Sequence, residues 1–311
     1  MSTDRPEHSE RDPRRGGVDI IRLSETVRRD IVERKATCPF LGAAIATGVL
    51  AVRNDPARPL ASIDDVIRLG NSGGGNLGEV LAIFAQGNHA FMPGPSGALD
   101  EPVPAGYFSL DLPGSQGSHP GHSAILQSDP TRVNSGRFSR EHFDRLLSHA
   151  TGGVLVRSHV AKFIANNVAT DPNARALPTG QLVLDIVASV GKAPHAVTEL
   201  IANRFSGTRE EGQYRDLLKK LTKAAAASNL VGSCGEFGLL FAFLEHKPGA
   251  RSVNGEPVIA VEDLTSMFEH KAFPPGWETW PKTANGWIAN TVALLQSATS
   301  ELLEGGRSQS A

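Results

Sequence analysis

Apolar residues recur along most of this chain at helical rather than alternating spacing. Ile20, Ile21, Val27 and Ile31 line one face of a segment from Val18 to Glu33, with Arg and Glu between them. A short stretch after Asp64 and Asp65 reaches Leu69 and is stopped by Gly70, and Leu77 to Phe84 continues in the same style. The intervening G-N-S-G-G-G-N suits a tight connection. Ser139 opens S-R-E-H-F-D-R-L-L as an N-cap, with Glu141 in the first turn where negative charge favours the exposed amides. The same periodicity predicts helices over Val154–Val168, Gln181–Val190, His195–Phe205, Glu210–Ala227, Phe237–Leu244, Val261–Phe268 and Trp287–Leu303. Period-2 runs are scarce: only Val154-Leu155-Val156 and Val258-Ile259-Ala260-Val261 qualify, and neither has an evident partner. The expectation is a single all-α domain over residues 18–304, between polar ends at 1–17 and 305–311 whose composition cannot repay the entropy of ordering.

One segment departs from the helical pattern. Met92 to Ser118 carries Pro and Gly every few residues, and a stretch this long without secondary structure is usually functional or disordered. Tyr107, Phe108, Leu110 and Leu112 supply apolar anchors, which favours an ordered loop over a pocket. Charge narrows the field further. With Lys+Arg 31 against Asp+Glu 33 and a formal net charge of -2, the 311-residue chain lacks the basic excess that nucleic acid or anionic membrane would require. No apolar run reaches the roughly 18 residues needed to cross a bilayer, and the first residues contain no apolar signal core, so a cytoplasmic protein is expected.

The candidate chemistry begins at T-C-P-F-L-G-A-A-I-A-T-G-V-L, Thr37 to Leu50. Pro39 has the fixed φ of a first helical residue and no amide hydrogen to waste there, which puts Cys38 at or near the N-cap. Unpaired amides and the helix dipole would lower its thiol pKa and prepare it to attack a substrate or hold a metal. The plainer alternative is a small buried hydrophobe. Nucleophilic catalysis would also need a histidine base, and none adjoins Cys38 in sequence. Ligation of an iron cofactor needs only the thiolate.

Four segments, in order, are similar to the chloroperoxidase and unspecific peroxygenase family of heme-thiolate proteins. Cys38-Pro39-Phe40-Leu41-Gly42-Ala43, followed by Gly48, Leu50 and Asn54-Asp55, resembles its proximal signature, with Thr37 where the family usually has Pro. Gly121–Asp129 and Asn134–Leu147 resemble its Glu-His-Asp region and the helix after it. Cys234-Gly235-Glu236, read as opening the helix F-G-L-L-F-A-F-L, resembles the helix of the distal glutamate. Val261 to Trp277 resembles the closing segment. The resemblance implies an all-helical array around heme b, with Cys38 as the axial iron ligand and Glu236 as distal acid-base. His122 would orient Glu236, and His119 is the other histidine that could reach it. The family's cation-binding Glu and Ser fall on Gly121 and Ile125, and the Asp on Ser123, so no separate divalent-cation site is expected.

The implied activity is peroxide-dependent oxidation, with hydrogen peroxide and a small organic substrate or halide as partners. The alternative is a non-catalytic carrier or sensor binding heme or another apolar ligand. Phe237, Leu239, Leu240 and Phe241 would desolvate Glu236 and raise its pKa. Cys234 reads as packing. The glycine-rich Gly70–Asn76 invites a phosphate-loop reading, yet it follows a helical segment and lacks a Lys-Ser/Thr after it.

Overall fold

The computed structural model describes residues 24–34, 36, 38–54, 59–82, 107–109, 125, 138–170 and 229–308. The helices expected at Gln181–Val190, His195–Phe205 and Glu210–Ala227 lie outside them, as do the 1–17 end and most of the Met92–Ser118 loop. The described residues are helix-rich. Helix α1 spans Glu25–Arg34, and the Ser24 hydroxyl accepts from the Val27 amide at 3.4 Å. Helix α2 spans Pro39–Ala46 and α3 spans Ile63–Gly70, whose N-cap Ser62 accepts from the Asp65 amide. Helix α4, Arg140–Leu147, starts at the Ser139 cap read from the sequence, with Ser139 accepting from the His142 amide. Helices α5 (Arg157–Thr170), α6 (Asn229–Leu244), α7 (Val261–Phe268) and α8 (Ala284–Ser308) complete the set. Helix α8 continues through Gly305 into the expected polar tail.

The expectation of a purely α domain needs one correction. Two small antiparallel sheets are present. In the first, β1 (Val52–Asn54), β2 (Pro59–Ser62) and β3 (Tyr107–Ser109) lie in that order. In the second, β4 (Val154–Val156) and β5 (Ser252–Val253) flank β6 (Glu256–Ala260). The two alternating runs that lacked a partner in sequence are each other's partners: Leu155 pairs with Ile259 and Val156 with Val258. The helix expected from Val154 therefore begins only at Arg157, because the first three residues are extended.

The core is built on α6, which packs against α8 and α5, while α2 packs against α1 and α7. Phe237, Phe241 and Phe243 of α6 are fully buried. Close approach of α8 depends on Gly238, where a β-carbon would stand 2.2 Å from Thr291 Oγ1. The glycine-rich segment after α3 serves the same purpose. Gly73, at φ +67°, lies so close to the Trp280 carbonyl that a β-carbon there would meet its oxygen at 2.2 Å. Its glycines admit the backbone of Trp280–Lys282 rather than a phosphate. Among the described residues no helix is long and apolar enough to cross a membrane.

Candidate functional site

Cys38 is the N-cap of α2, with extended backbone (φ -98°, ψ 129°) and Pro39 at the first helical position, as the sequence indicated. The consequence for its charge is the reverse of the expectation. Cys38 is 2% exposed, and burial pushes its thiol up to about 12. The amides of Leu41 and Phe40 favour a charged sulfur, although neither closes a capping hydrogen bond of ordinary geometry. In this apolar setting desolvation exceeds the pull of the helix terminus. Near neutral pH burial thus favours the thiol over the thiolate.

Among the described residues, two charged side chains act on Cys38. The carboxylate of Glu236 opposes charge on the sulfur and the ammonium of Lys271 favours it. Glu236 is the second residue singled out in the sequence, and its position needs a correction. Helix α6 does not open at Cys234 but at Asn229, so Glu236 lies two turns inside it rather than at its start. Glu236 is a carboxylate only 3% exposed, in mid-helix, among Phe237, Leu239, Leu240 and Phe241. Such burial is costly unless the group is compensated or used. The turn that carries it is fixed from α8, where the Trp287 indole donates to the Gly235 carbonyl at 3.0 Å.

The way α6 meets α2 explains the pairing of Cys38 with Glu236. Phe243, seven residues after Glu236 and on the same helical face, packs edge-on against Phe40 with ring centroids 4.8 Å apart. That contact sets the α6 face beside the first turn of α2, leaving Glu236 within electrostatic reach of the sulfur. Phe243 is held in turn by Phe273 at 5.6 Å and Trp277 at 6.4 Å, and its carbonyl accepts from the Trp280 indole at 2.6 Å. Behind it, Lys282 is fully buried. Its ammonium donates to Ser72 Oγ at 2.9 Å, to the Trp280 carbonyl at 2.8 Å and to the Trp277 carbonyl, and it faces the rings of Phe243, Trp277 and Trp280.

His119 and His122 lie outside the described residues. Cys234, on α6, is buried, and burial raises its thiol pKa, in keeping with packing. Lys271 was not singled out in sequence. Its signal would have been a lone cation in the apolar A-F-P-P stretch that follows it. A cavity of about 450 Å³ lies elsewhere, between Gly152–Val154, Lys247–Arg251 and Val258–Asp263, and contains none of Cys38, Glu236 or Lys271. Its lysine, Lys247, is already paired with Asp263 at 2.6 Å.

Among the described residues no group of three or more His, Cys, Asp or Glu side chains could hold a metal ion. The sulfur of Cys38 is of the donor type that can ligate a heme iron. No family model, no curated protein and no solved structure matches the chain.

Proposed function

We propose that this protein is a peroxide-dependent heme-thiolate oxidoreductase, with Cys38 as the axial ligand of heme b and Glu236 as its acid-base residue. The observation that carries the reading is the convergence of these two residues. They stand far apart in sequence and were picked out by different motifs, yet both are buried and one acts electrostatically on the other. The order of the four family-like segments supports it independently.

Heme, when bound, supplies an iron whose anionic sulfur ligand pushes electron density toward heterolysis of an O–O bond. The chain's own residues do the rest. Cys38 would hold the iron through its sulfur in place of its proton, and the amides of Phe40 and Leu41 together with Lys271 would favour a negative sulfur there. Glu236 takes a proton onto a carboxylate oxygen from one oxygen of the hydroperoxide and returns it to the other, a role worth about 10²–10⁴-fold. The apolar flank of Glu236 excludes water from that transfer. His122 keeps the orienting role that the resemblance gives it. Hydrogen peroxide and a small organic substrate or halide are the reactants in this reading.

Among the described residues the side chains acting on Cys38 are a carboxylate and an ammonium, not the imidazole that a cysteine hydrolase would use. Expression with a heme precursor tests the reading. A coloured protein whose reduced carbon monoxide complex has a red-shifted, thiolate-type Soret band supports it, and the same band in Cys38→Ser would remove the ligand assignment.

A further inference from the structure

Asparagine is followed directly by glycine at two places in the chain, Asn254-Gly255 and Asn285-Gly286. This dipeptide is chemically labile, because the glycine nitrogen, with no side chain beside it, can reach the asparagine side-chain carbon. The fold gives the two copies opposite surroundings. Asn254 and Gly255 are exposed and connect β5 to β6, both with positive φ, +53° and +79°. The pairing of Val253 with Glu256 leaves these two residues alone in the loop, the type I′ arrangement that Asn-Gly favours. Neither belongs to the ladder, and a β-carbon on Gly255 would meet nothing within 4 Å. The Asn254 side chain and the Gly255 nitrogen therefore have room to approach each other.

Asn285-Gly286 lies in the first turn of α8. There the Gly286 amide donates to Thr283 Oγ1 at 3.0 Å, so its nitrogen is already engaged. The position is also enclosed, since a β-carbon on Gly286 would collide with the Glu245 carboxylate and stand 2.8 Å from Thr283 Oγ1. The next residue is tied down twice: the Trp287 amide donates to the Thr283 carbonyl at 3.1 Å and its indole to the Gly235 carbonyl at 3.0 Å. Turning this peptide toward the Asn285 side chain requires the start of α8 to open.

We propose that Asn254 is a site of spontaneous deamidation, its side-chain amide lost to attack by the Gly255 nitrogen, while the fold protects the same dipeptide at Asn285-Gly286. Solvent base removes the Gly255 amide proton, and the nitrogen bonds to Cγ of Asn254 as the bond from Cγ to the side-chain nitrogen breaks. That nitrogen leaves as ammonia, taking the bonding pair and a proton from water, and a cyclic succinimide remains. Water then adds to either ring carbonyl and the ring opens to aspartate or isoaspartate, with nothing oxidised or reduced. Either product puts a new carboxylate in the turn that follows Arg251, a residue lining the 450 Å³ cavity. The isoaspartyl product carries an extra backbone carbon through a turn built for two residues, and so releases β5, whose partner among the described residues is β6.

The test incubates the full-length protein at mildly alkaline pH, folded and in urea. Both asparagines are followed by the mass gain of their tryptic peptides, which are separate because trypsin cuts after Arg251 and after Lys282. Chromatography resolves the aspartyl and isoaspartyl products. In the folded protein Asn254 is expected to react at least about tenfold faster than Asn285, whose glycine amide must first give up its hydrogen bond and its helical turn. In urea both sites are plain Asn-Gly, and their rates should converge, which assigns the difference to the fold. Equal rates at the two sites in the folded protein overturn the proposal, as does a preference for Asn254 that persists unchanged in urea. So does an Asn254 that reacts about tenfold more slowly folded than in urea, because the hairpin would then protect it as α8 protects Asn285.

Discussion

Replacing Lys282 by methionine isolates the support behind the site. The substitution keeps length and approximate volume but removes an ammonium with no exposed surface. It deprives the Trp277 and Trp280 carbonyls and the Ser72 hydroxyl of their donor. A buried polar group left without its partner costs about 1–3 kcal/mol. Three ring faces, at 5.1 to 5.4 Å from the ammonium, lose cation–π contacts worth about 0.5–2 kcal/mol each. Against this, the variant no longer buries a charge, which relieves several kcal/mol, and methionine sulfur packs well on aromatic rings. The balance is a loss of about 3 kcal/mol, or roughly 5 °C in Tm for a chain of this length. Urea unfolding followed by tryptophan fluorescence reads it directly, because two of the three tryptophans line the cage. Burial also pushes the Lys282 ammonium down to about 8 from its usual 10.5. Between those values the unfolded chain holds a proton that the folded one does not. Wild type therefore gains on the variant by about 1.4 kcal/mol per pH unit there. A variant within about 0.5 kcal/mol of wild type at neutral pH would refute the view that this ammonium ties the glycine-rich turn to the aromatic cluster.

Three further outcomes are expected. Glu236→Gln should keep bound heme while slowing peroxide turnover about 10²–10⁴-fold in stopped-flow measurements, and undiminished turnover would remove Glu236 from proton transfer. Cys38, raised to about 12 in the folded state from 9.0, binds its proton more tightly when folded, so its contribution to stability is complete below pH 9 and declines above it. Stability–pH curves of cofactor-free wild type and Cys38→Ser should therefore diverge above pH 9, with the serine variant gaining about 1.4 kcal/mol per unit, and parallel curves would contradict the burial of the thiol. Gly238→Ala should lower stability by about 1–3 kcal/mol in chemical unfolding despite alanine's better helix propensity, because its methyl group meets Thr291, and Thr291→Ala in the same chain should recover part of the loss.

Local chemistry was legible in the sequence, and long-range contact was not. Cys38 could be placed at an N-cap because Pro39 restricts its own φ, and Ser139 because a short hydroxyl before a helical run satisfies a nearby amide. The thiol's charge was misjudged because helix polarity is local, whereas the desolvation that exceeds it comes from burial in a core assembled by the whole fold. The start of α6 was misplaced because Cys234-Gly235 resembles a break, while Gly235 serves as an acceptor for an indole from α8. Strands β4 and β6 each read as an isolated alternating run, since pairing across some hundred residues leaves no local mark. Lys271 and Lys282 gain their meaning only from helices and turns that arrive from elsewhere in the chain.

The central claim is that Cys38 binds the iron of a porphyrin. Its most direct test is the absorption spectrum of the reduced, carbon monoxide-treated protein after hemin addition, taken for wild type and Cys38→Ser. The account predicts a red-shifted thiolate band in wild type that is absent from the serine variant. No hemin uptake by the folded wild-type protein, or an identical band in both, would contradict it.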